Sequence, residues 1–255
     1  MTRTIALAGK GGTGKTTIAA LLIRSLLKRT SLPVLAIDAD PATNLHLALG
    51  LPMPMTAGEI REEMMDSAQA GQLGVTISRH EYLTREIRMA LEEGDQVDLL
   101  AMGRPEGQGC YCAVNHLLRQ IIDNLGRNYE YVVIDNEAGM EHISRRTTRD
   151  VDLLLVVTDP TVRGVRTAAG IAAMARDVEV NVKKTMLIIN RAEGEAPAPL
   201  QAVIDDLGLE IAGTIPADGQ VNELDAYGQP LMHLDGDSPA QRAIEEMTDR
   251  IVNSI

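Results

Sequence analysis

The sequence predicts a single-domain α/β protein, with a mostly parallel, twisted sheet of about seven or eight strands and helices on both faces. Apolar, β-branched runs alternate along the chain with amphipathic stretches of helical length, as expected for right-handed βαβ crossovers. The chain also has no Trp, no Phe and only 5 Tyr in 255 residues, so its core must be aliphatic, which suits buried parallel strands. No linker, repeat or low-complexity tract interrupts the pattern, and we take residues 1–255 as one domain.

The predicted elements follow one another in a regular order. The first strand, TIALAG, leads through a Gly-rich turn into a helix with Ile18, Leu22 and Leu26 on one face. Further strands are predicted at 33–38, 97–102, 131–135, 152–158, 184–190 and 209–215, and helices at 113–125, 162–177, 197–207 and 239–253. Between 53 and 95 the pattern weakens to two helices and a short strand near VTIS. Ligands of such sheets bind at the carboxyl ends of the strands.

The overall charge restricts the partners that the protein can bind. Lys and Arg total 24 against 36 Asp and Glu, for a net charge of −12, so the surface should repel a nucleic-acid backbone. The closest approach to a basic cluster, Arg145, Arg146 and Arg149, alternates with acidic residues. No apolar run approaches the roughly 18 to 20 residues that span a bilayer, and the first residues do not resemble a signal peptide. We therefore expect a cytoplasmic protein with no nucleic-acid partner and no membrane insertion.

The stretch GKGGTGKT, residues 9–16, matches G-x-x-x-x-G-K-[ST] and lies between a predicted strand and helix. In this context the motif is a P-loop, whose backbone N–H groups and helix N-terminus bind phosphate. Lys15 would contact the β- and γ-phosphates, and the Thr16 hydroxyl would be a Mg²⁺ ligand. An incidental Gly-rich turn would not match every fixed position. The predicted nucleotide-binding residues here are Gly11, Gly12, Thr13, Gly14, Lys15, Thr16 and Thr17.

A second lysine, Lys10, lies inside the loop. The sequence KGGTGKT resembles the deviant P-loop of the family that includes nitrogenase iron protein and the septum-site and plasmid-partition ATPases. The resemblance implies a homodimer in which Lys10 reaches the partner's nucleotide and acts, like an arginine finger, in catalysis with Lys15. A solvated loop lysine is the alternative reading of Lys10.

Two strand ends complete the predicted ATP and magnesium site. The motif DADP resembles the family's first switch, in which an aspartate at the place of Asp40 orients the attacking water. Asp38 is a candidate Mg²⁺ ligand. A tight polar turn that caps the next helix is the alternative for Asp38. In YVVIDNEAGMEH, Asp135 resembles a Walker B aspartate that holds Mg²⁺, and residues 136–139 would form the second switch. A helix-capping role is the alternative for Asp135.

Late in the chain, the resemblance implies a site for the base. In LIINRAE, Asn190 and Arg191 stand where the family holds adenine, and GTIPADGQV places Pro216 in a loop near it. No [NT]-K-x-D guanine signature is present, so we expect ATP rather than GTP.

The chain's 2 cysteines, Cys110 and Cys112, are separated by one residue. A disulfide between them would be strained and is unexpected in a reducing compartment. A C-x-C pair can offer two thiolates to one soft metal, but two ligands are too few for a stable Ni²⁺ or Zn²⁺ site. A two-fold dimer would supply four. Inert buried thiols are the alternative, and His116 or His142 could add a ligand.

The stretches MGRPEGQGCYCAVNHLLR and DNEAGMEHISRRT resemble the accessory ATPases that insert nickel into carbon monoxide dehydrogenase and acetyl-CoA synthase. This resemblance implies an ATP- and Mg²⁺-dependent dimer that binds Ni²⁺, or Zn²⁺, at Cys110 and Cys112 between subunits. ATP hydrolysis would then deliver the metal to one of those two enzymes.

Two other functions within the same superfamily remain open at this stage. A nitrogenase-type reductase would also bridge a dimer with cysteines, but its cluster needs a cysteine in the second switch, and NEAGMEH contains none. A positioning switch of the partition or septum-site type predicts a basic DNA-binding face or a basic amphipathic C-terminal helix. The C-terminal stretch PAQRAIEEMTDRIVNSI is amphipathic but carries Glu245, Glu246 and Asp249.

Overall fold

A computed structural model describes residues 2–69, 78–104, 112–138, 150–177, 181–194 and 197–254. Its strands are β1 (Arg3–Gly9), β2 (Val34–Ala39), β3 (Glu92–Glu93), β4 (Val97–Ala101), β5 (Tyr131–Asn136), β6 (Asp150–Thr158), β7 (Asn181–Ala192) and β8 (Ile211–Pro216). Its helices are α1 (Lys15–Leu27), α2 (Leu45–Leu49), α3 (Ala57–Gln69), α4 (Arg79–Met89), α5 (Cys112–Gly126), α6 (Val162–Asp177), α7 (Ala198–Asp206), α8 (Gly219–Ala226) and α9 (Pro239–Val252).

The strands form an 8-stranded sheet in the order β3-β4-β2-β5-β1-β6-β7-β8. Neighbouring strands are parallel except for the short edge pair of β3 with β4. One layer of buried aliphatic side chains joins the sheet to α1, α2 and α9, and a second layer joins it to α3, α4, α5, α6 and α7. The predicted fold class is confirmed in its sheet and in its two helical layers.

The predicted elements agree with the structure to within about three residues at each end, as is usual for element boundaries. The weakly patterned region contains the two expected helices, α3 and α4. Most of the predicted strand near VTIS, residues 75–77, lies outside the described residues. Two helices were not predicted: α8 has no buried residue and therefore no apolar periodicity, and α2 spans only five residues. No described helix is long and apolar enough to cross a membrane.

Strand register brings the predicted site residues to one edge of the sheet. On β5, Asp135 is the Cα partner of Leu7 on β1 and of Asp38 on β2. On the other side of β2, Asp38 is the partner of Ala101, the last residue of β4. Four adjacent parallel strands thus end together, and the segments that follow them meet at this edge.

The C-terminal helix α9 packs against α1 and β8. Its apolar residues Ile244, Met247 and Ile251 are buried, and a side chain at Gly213 on β8 would approach Met247 to 3.1 Å. Two acidic residues of α9 pair with the basic residues just after α1: Arg29 donates to Asp249 at 2.6 Å, and Lys28 pairs with Glu245. The apolar stripe of α9 is therefore used inside the fold.

We predict that Ile244→Ala destabilises the protein by about 2–5 kcal/mol, because it removes buried methyl groups and leaves a cavity between α9 and the sheet. Urea unfolding followed by circular dichroism measures the change. Glu246→Ala, on the exposed side of α9, is the matched control and should change the free energy of unfolding by less than about 0.5 kcal/mol. Equal, small changes in both variants would mean that α9 does not pack as described.

Candidate nucleotide site at the carboxyl edge of the sheet

The Gly-rich loop runs from Gly9, the last residue of β1, to Gly14, just before α1. A side chain at Gly9 would lie 2.4 Å from the carbonyl oxygen of Val157 on β6, so only glycine lets the loop leave the sheet here. Gly14 has a left-handed backbone with φ of 89° and also lies against Asn190. The loop conformation thus depends on glycine at the positions that the motif fixes.

Hydrogen bonds from β7 hold the loop in place. The Asn190 Nδ2 donates to the carbonyl oxygen of Thr13 at 2.8 Å, and an Arg191 Nη donates to that of Gly12 at 3.2 Å. The Thr13 hydroxyl donates to the carbonyl oxygen of Lys10 at 2.9 Å. Asn190 and Arg191, predicted from the resemblance as adenine contacts, therefore also position the phosphate-binding loop. Their contact with adenine stays a prediction.

The two lysines of the loop have different environments. Lys15 is buried, with its Nζ 3.5 Å from the carbonyl oxygen of Lys10, whereas the side chain of Lys10 is exposed. A buried ammonium beside the loop can contact phosphate from within the same chain. An exposed one is accessible to a second molecule, as the predicted trans role of Lys10 requires.

At the start of α1, the Thr16 hydroxyl donates to Oδ2 of Asp135 at 2.6 Å. Asp135 is 1% exposed, and its Oδ1 is buried without a hydrogen-bond partner among the described residues. An unsatisfied buried carboxylate oxygen is costly, and hydroxyl and carboxylate oxygens are the ligands that Mg²⁺ prefers. Thr16 and Asp135 therefore fit a magnesium ion that would satisfy the free oxygen.

Burial raises the pKa of both strand-end carboxyl groups. The pKa of Asp135 rises to about 7, chiefly through burial and further through the Asp38 carboxylate, while the Thr16 hydrogen bond and Lys15 oppose the rise. The pKa of Asp38 rises to about 6 through burial, opposed by two backbone hydrogen bonds. A divalent cation at Asp135 would favour its ionised form.

The structure gives Asp38 and Asp40 local roles in the turn after β2. The Asp38 carboxylate accepts hydrogen bonds from the backbone N–H of Asp40 at 3.1 Å and of Leu45 at 2.9 Å. It therefore caps α2, which was the alternative reading of this residue, and its magnesium role stays a prediction. Asp40 accepts from the N–H of Ala42 at 2.8 Å and lines the cavity at the loop.

One cavity adjoins the loop, and a second lies beside it, between α1 and β7. The larger, about 550 Å³, is lined by the phosphate-binding loop together with Asp40, Glu137, and residues of α2, α8 and the turn after α8. The smaller, about 60 Å³, is lined by Asn190, Pro216, Asp218 and Asn222 among others. The contributions of α2 and α8 were not predicted, because no motif marks these two short helices.

Only some of the predicted metal ligands lie within the described residues. Cys110 and His142 lie outside the described residues, Cys112 is the first residue of α5, and His116 lies in the same helix. Of the second switch, residues 136–138 are described, and Ala138 lies 3.8 Å from a Cβ built on Gly11. The metal site at Cys110 and Cys112 stays a prediction.

A glycine-rich loop between β1 and α1, with a buried carboxylate from a nearby strand bonded to the first turn of the helix, defines a P-loop nucleotide-binding protein. The chain belongs to the CobQ/CobB/MinD/ParA nucleotide-binding domain family, whose sequence profile matches residues 4–231.

Individual relatives agree with this family. An uncharacterized ATP-binding protein of Methanocaldococcus jannaschii is 42% identical over 249 residues, which cover 98% of each chain. The carbon monoxide dehydrogenase accessory protein CooC of Rhodospirillum rubrum is 34% identical over 248 residues, covering 93% of this chain and 91% of that protein. The solved cell-division protein MinD of Aquifex aeolicus superposes with a TM-score of 0.70 at 23% identity, covering 99% of this chain and 98% of that one, which shows the fold alone.

The raised pKa of Asp135 predicts a pH dependence of stability in the metal-free, nucleotide-free protein. Its folded pKa of about 7 exceeds the unfolded value of about 4. Between these values the folded state binds more protons, so the free energy of unfolding should fall as pH rises through this window. Asp135→Asn, which stays neutral, should make this fall smaller. Urea unfolding at several pH values checks the prediction.

The exposed Asp237→Asn serves as the control for charge removal and should retain the wild-type slope. If Asp135→Asn and Asp237→Asn gave the same dependence on pH, Asp135 would not be the carboxyl group that titrates in this window.

Proposed function

We propose that this protein is an ATPase that works as a nickel metallochaperone: a homodimer that binds Ni²⁺ at Cys110 and Cys112 and uses ATP hydrolysis to deliver it to a carbon monoxide dehydrogenase or an acetyl-CoA synthase. The observation that carries the proposal is the 34% identity, over 93% of the chain, to an accessory protein of carbon monoxide dehydrogenase. The nucleotide site and the cysteine spacing give it a physical basis.

The arrangement at the loop supports ATP hydrolysis. A water oxygen attacks the γ-phosphorus, the bond from that phosphorus to the ADP oxygen breaks, and the proton leaves with the phosphate products. Asp40 would orient the water, and Lys15 would stabilise the charge that develops on the phosphoryl oxygens. Both residues line the same cavity. Magnesium held by Thr16 and Asp135 would neutralise further phosphate charge.

The cysteine pair supports a metal site that two subunits share and that holds the metal to be delivered. Each chain supplies two thiolates, and a two-fold axis through the pair would bring together the four soft ligands that a tight Ni²⁺ or Zn²⁺ site needs. The site would thus exist only in the dimer, and any change of the interface would change metal affinity.

Described contacts connect the nucleotide site to the start of the cysteine segment. The backbone N–H of Met102, one residue beyond β4, donates to the carbonyl oxygen of Asp38 at 2.8 Å. The carbonyl oxygen of Met102 accepts from Gly58 in α3 at 3.0 Å. Met102 precedes Cys110 by eight residues in the sequence, so a movement of the turn at Asp38 and Asp40 would act on the described residues that follow β4.

Helix α9 does not supply the membrane-binding face that a positioning switch of the septum-site type could use. A membrane-targeting C-terminal helix would need a free apolar face beside a basic one, but α9 buries its apolar residues against α1 and β8. The acidic residues Glu245 and Asp249 of α9 are paired with Lys28 and Arg29. Binding to anionic liposomes or to DNA would favour the switch over metal delivery.

We predict one nickel ion per dimer, lost in Cys110→Ser and in Cys112→Ser while ATP binding is retained, because a hydroxyl is a poor ligand for this metal. Equilibrium dialysis with light scattering measures the stoichiometry and the mass. The exposed His233→Gln is the control for loss of a metal-binding side chain elsewhere. Nickel binding that survives both serine substitutions would exclude the shared cysteine site.

We also predict that Lys10→Ala abolishes ATP hydrolysis but changes ADP affinity by only a small factor, because Lys10 is exposed in its own chain and would act across the dimer. Phosphate release and isothermal titration calorimetry measure the two quantities. Lys183→Ala removes an exposed lysine at the far end of the sheet and should retain turnover. Wild-type turnover in Lys10→Ala would remove its role in catalysis.

A further inference from the structure

Among the described residues other than glycine, two have a left-handed backbone, and both lie at the edge of the sheet that carries the phosphate-binding loop. They are Thr43, with φ of 47°, and Arg191, with φ of 58°. This conformation crowds the Cβ against the following carbonyl oxygen and is a genuine outlier for a β-branched side chain. Such strain persists only where neighbouring contacts impose it, and it is common in switch regions and active sites.

Thr43 lies in the turn between β2 and α2, whose residues Asp40 and Asn44 line the cavity at the loop. Asp38 holds the turn from both sides, because the backbone N–H groups of Asp40 and Leu45 both donate to its carboxylate. Inside the turn, the N–H of Thr43 donates to the carbonyl oxygen of Asp40 at 3.0 Å. Rotation of Thr43 to a negative φ would redirect the chain between these anchored ends and move Asp40.

His46, in α2, holds the other side of Thr43. Its Nδ1 lies 2.7 Å from the carbonyl oxygen of Thr43. A carbonyl oxygen only accepts hydrogen bonds, so Nδ1 carries a proton and donates it. This proton is present in the neutral ring of that tautomer and in the charged ring, so the bond forms in both states of His46. The strained residue is therefore held at its N–H by Asp40 and at its carbonyl oxygen by His46.

The second left-handed residue, Arg191, is held in a different way. Its guanidinium donates to the carbonyl oxygen of Gly12, and the pairing of β7 with β8 shifts register between Asn190 and Ala192. The backbone at Arg191 is thus set by the sheet and by the loop together. The carbonyl oxygen of Thr43 is instead bonded by one side chain, so a single substitution can release it.

We propose that His46 is a positioning residue for ATP hydrolysis: it clamps Thr43 in its strained conformation and thereby holds Asp40 where it orients the attacking water. The inference rests on the proposed ATPase activity and is independent of nickel. His46 lines neither cavity at the site. Without its hydrogen bond, Thr43 relaxes and Asp40 moves, while the phosphate-binding loop still binds the nucleotide.

The test is steady-state ATP hydrolysis with saturating Mg²⁺ in His46→Ala and in two double variants. His46→Ala should lower kcat about fivefold, the factor by which the net loss of one hydrogen bond shifts an equilibrium. It should leave the ADP affinity, measured by isothermal titration calorimetry, nearly unchanged. Adding Thr43→Gly should restore kcat, because glycine adopts the left-handed conformation without strain and needs no clamp. Adding Thr43→Ala should not restore it, because alanine retains the Cβ that causes the strain.

The two double variants separate positioning from a merely structural role. Both remove the Thr43 side chain beyond Cβ, so a difference between them reports the backbone conformation alone. His80→Ala is the control for loss of a histidine, since the exposed His80 on α4 also forms a hydrogen bond through Nδ1, to the hydroxyl of Thr84. It should retain the wild-type kcat. An unchanged kcat in His46→Ala, or equal kcat in the two double variants, would overturn the inference.

Failure of this inference is distinguishable from failure of the proposed function. Wild-type turnover that does not respond to His46→Ala would overturn the positioning role and leave the ATPase intact. A wild-type protein that binds Mg·ADP but does not hydrolyse ATP would overturn the ATPase and the inference together. Rescue by glycine but not by alanine would support the inference even if the protein bound no nickel.

Discussion

The parallel register of four adjacent strands is the constraint on which the rest of the structure depends. Because β4, β2, β5 and β1 end at the same edge, the phosphate-binding loop, Asp38, Asp135 and the residues directly after β4 are brought together. A shift of one residue in any of these strands would turn its side chains to the opposite face of the sheet. The site thus depends on how the whole sheet is paired, and the aliphatic layers on both faces fix that pairing.

The same edge holds two buried carboxyl groups whose ionisation is unfavourable. Asp38 and Asp135 are Cα partners in the sheet, both are buried, and the pKa of each is raised. Groups held in an unfavourable state are common at functional sites, because a ligand can relieve the cost on binding. Here a magnesium ion bound with nucleotide would favour the ionised form of Asp135 and satisfy its free oxygen, so ligand binding should tighten the contact between β5 and α1.

The fold and the phosphate-binding loop could be predicted from the sequence because both depend on local signals. Buried parallel strands give continuous aliphatic runs, and the loop needs glycine and lysine at fixed spacing. Residues of α8 could not be found in this way, since no buried position gives that helix a period. The contact of Asn190 with Thr13 joins residues far apart in the chain, and only the structure shows that it braces the loop.

Asp38 is a residue whose sequence context allows two different roles. Its position after a buried strand is equally compatible with a metal ligand and a cap, and the sequence does not separate them. In the structure its carboxylate bonds to the N–H groups of Asp40 and Leu45. Asp38 thereby shapes the turn that presents Asp40 to the cavity. Met102, which follows the neighbouring strand β4, donates its backbone N–H to the carbonyl oxygen of Asp38.

The proposed metal delivery requires that the nucleotide site and the proposed cysteine site are coupled through this edge. The most direct measurement is the Ni²⁺ dissociation constant of the wild-type protein, determined by competition with a chromophoric chelator. It is measured twice, once in the presence of Mg·ADP and once in the presence of a non-hydrolysable ATP analogue. Coupling predicts that the two constants differ by about fivefold or more. Equal constants in the two nucleotide states would contradict the coupling, because ATP could then not drive the release of the metal.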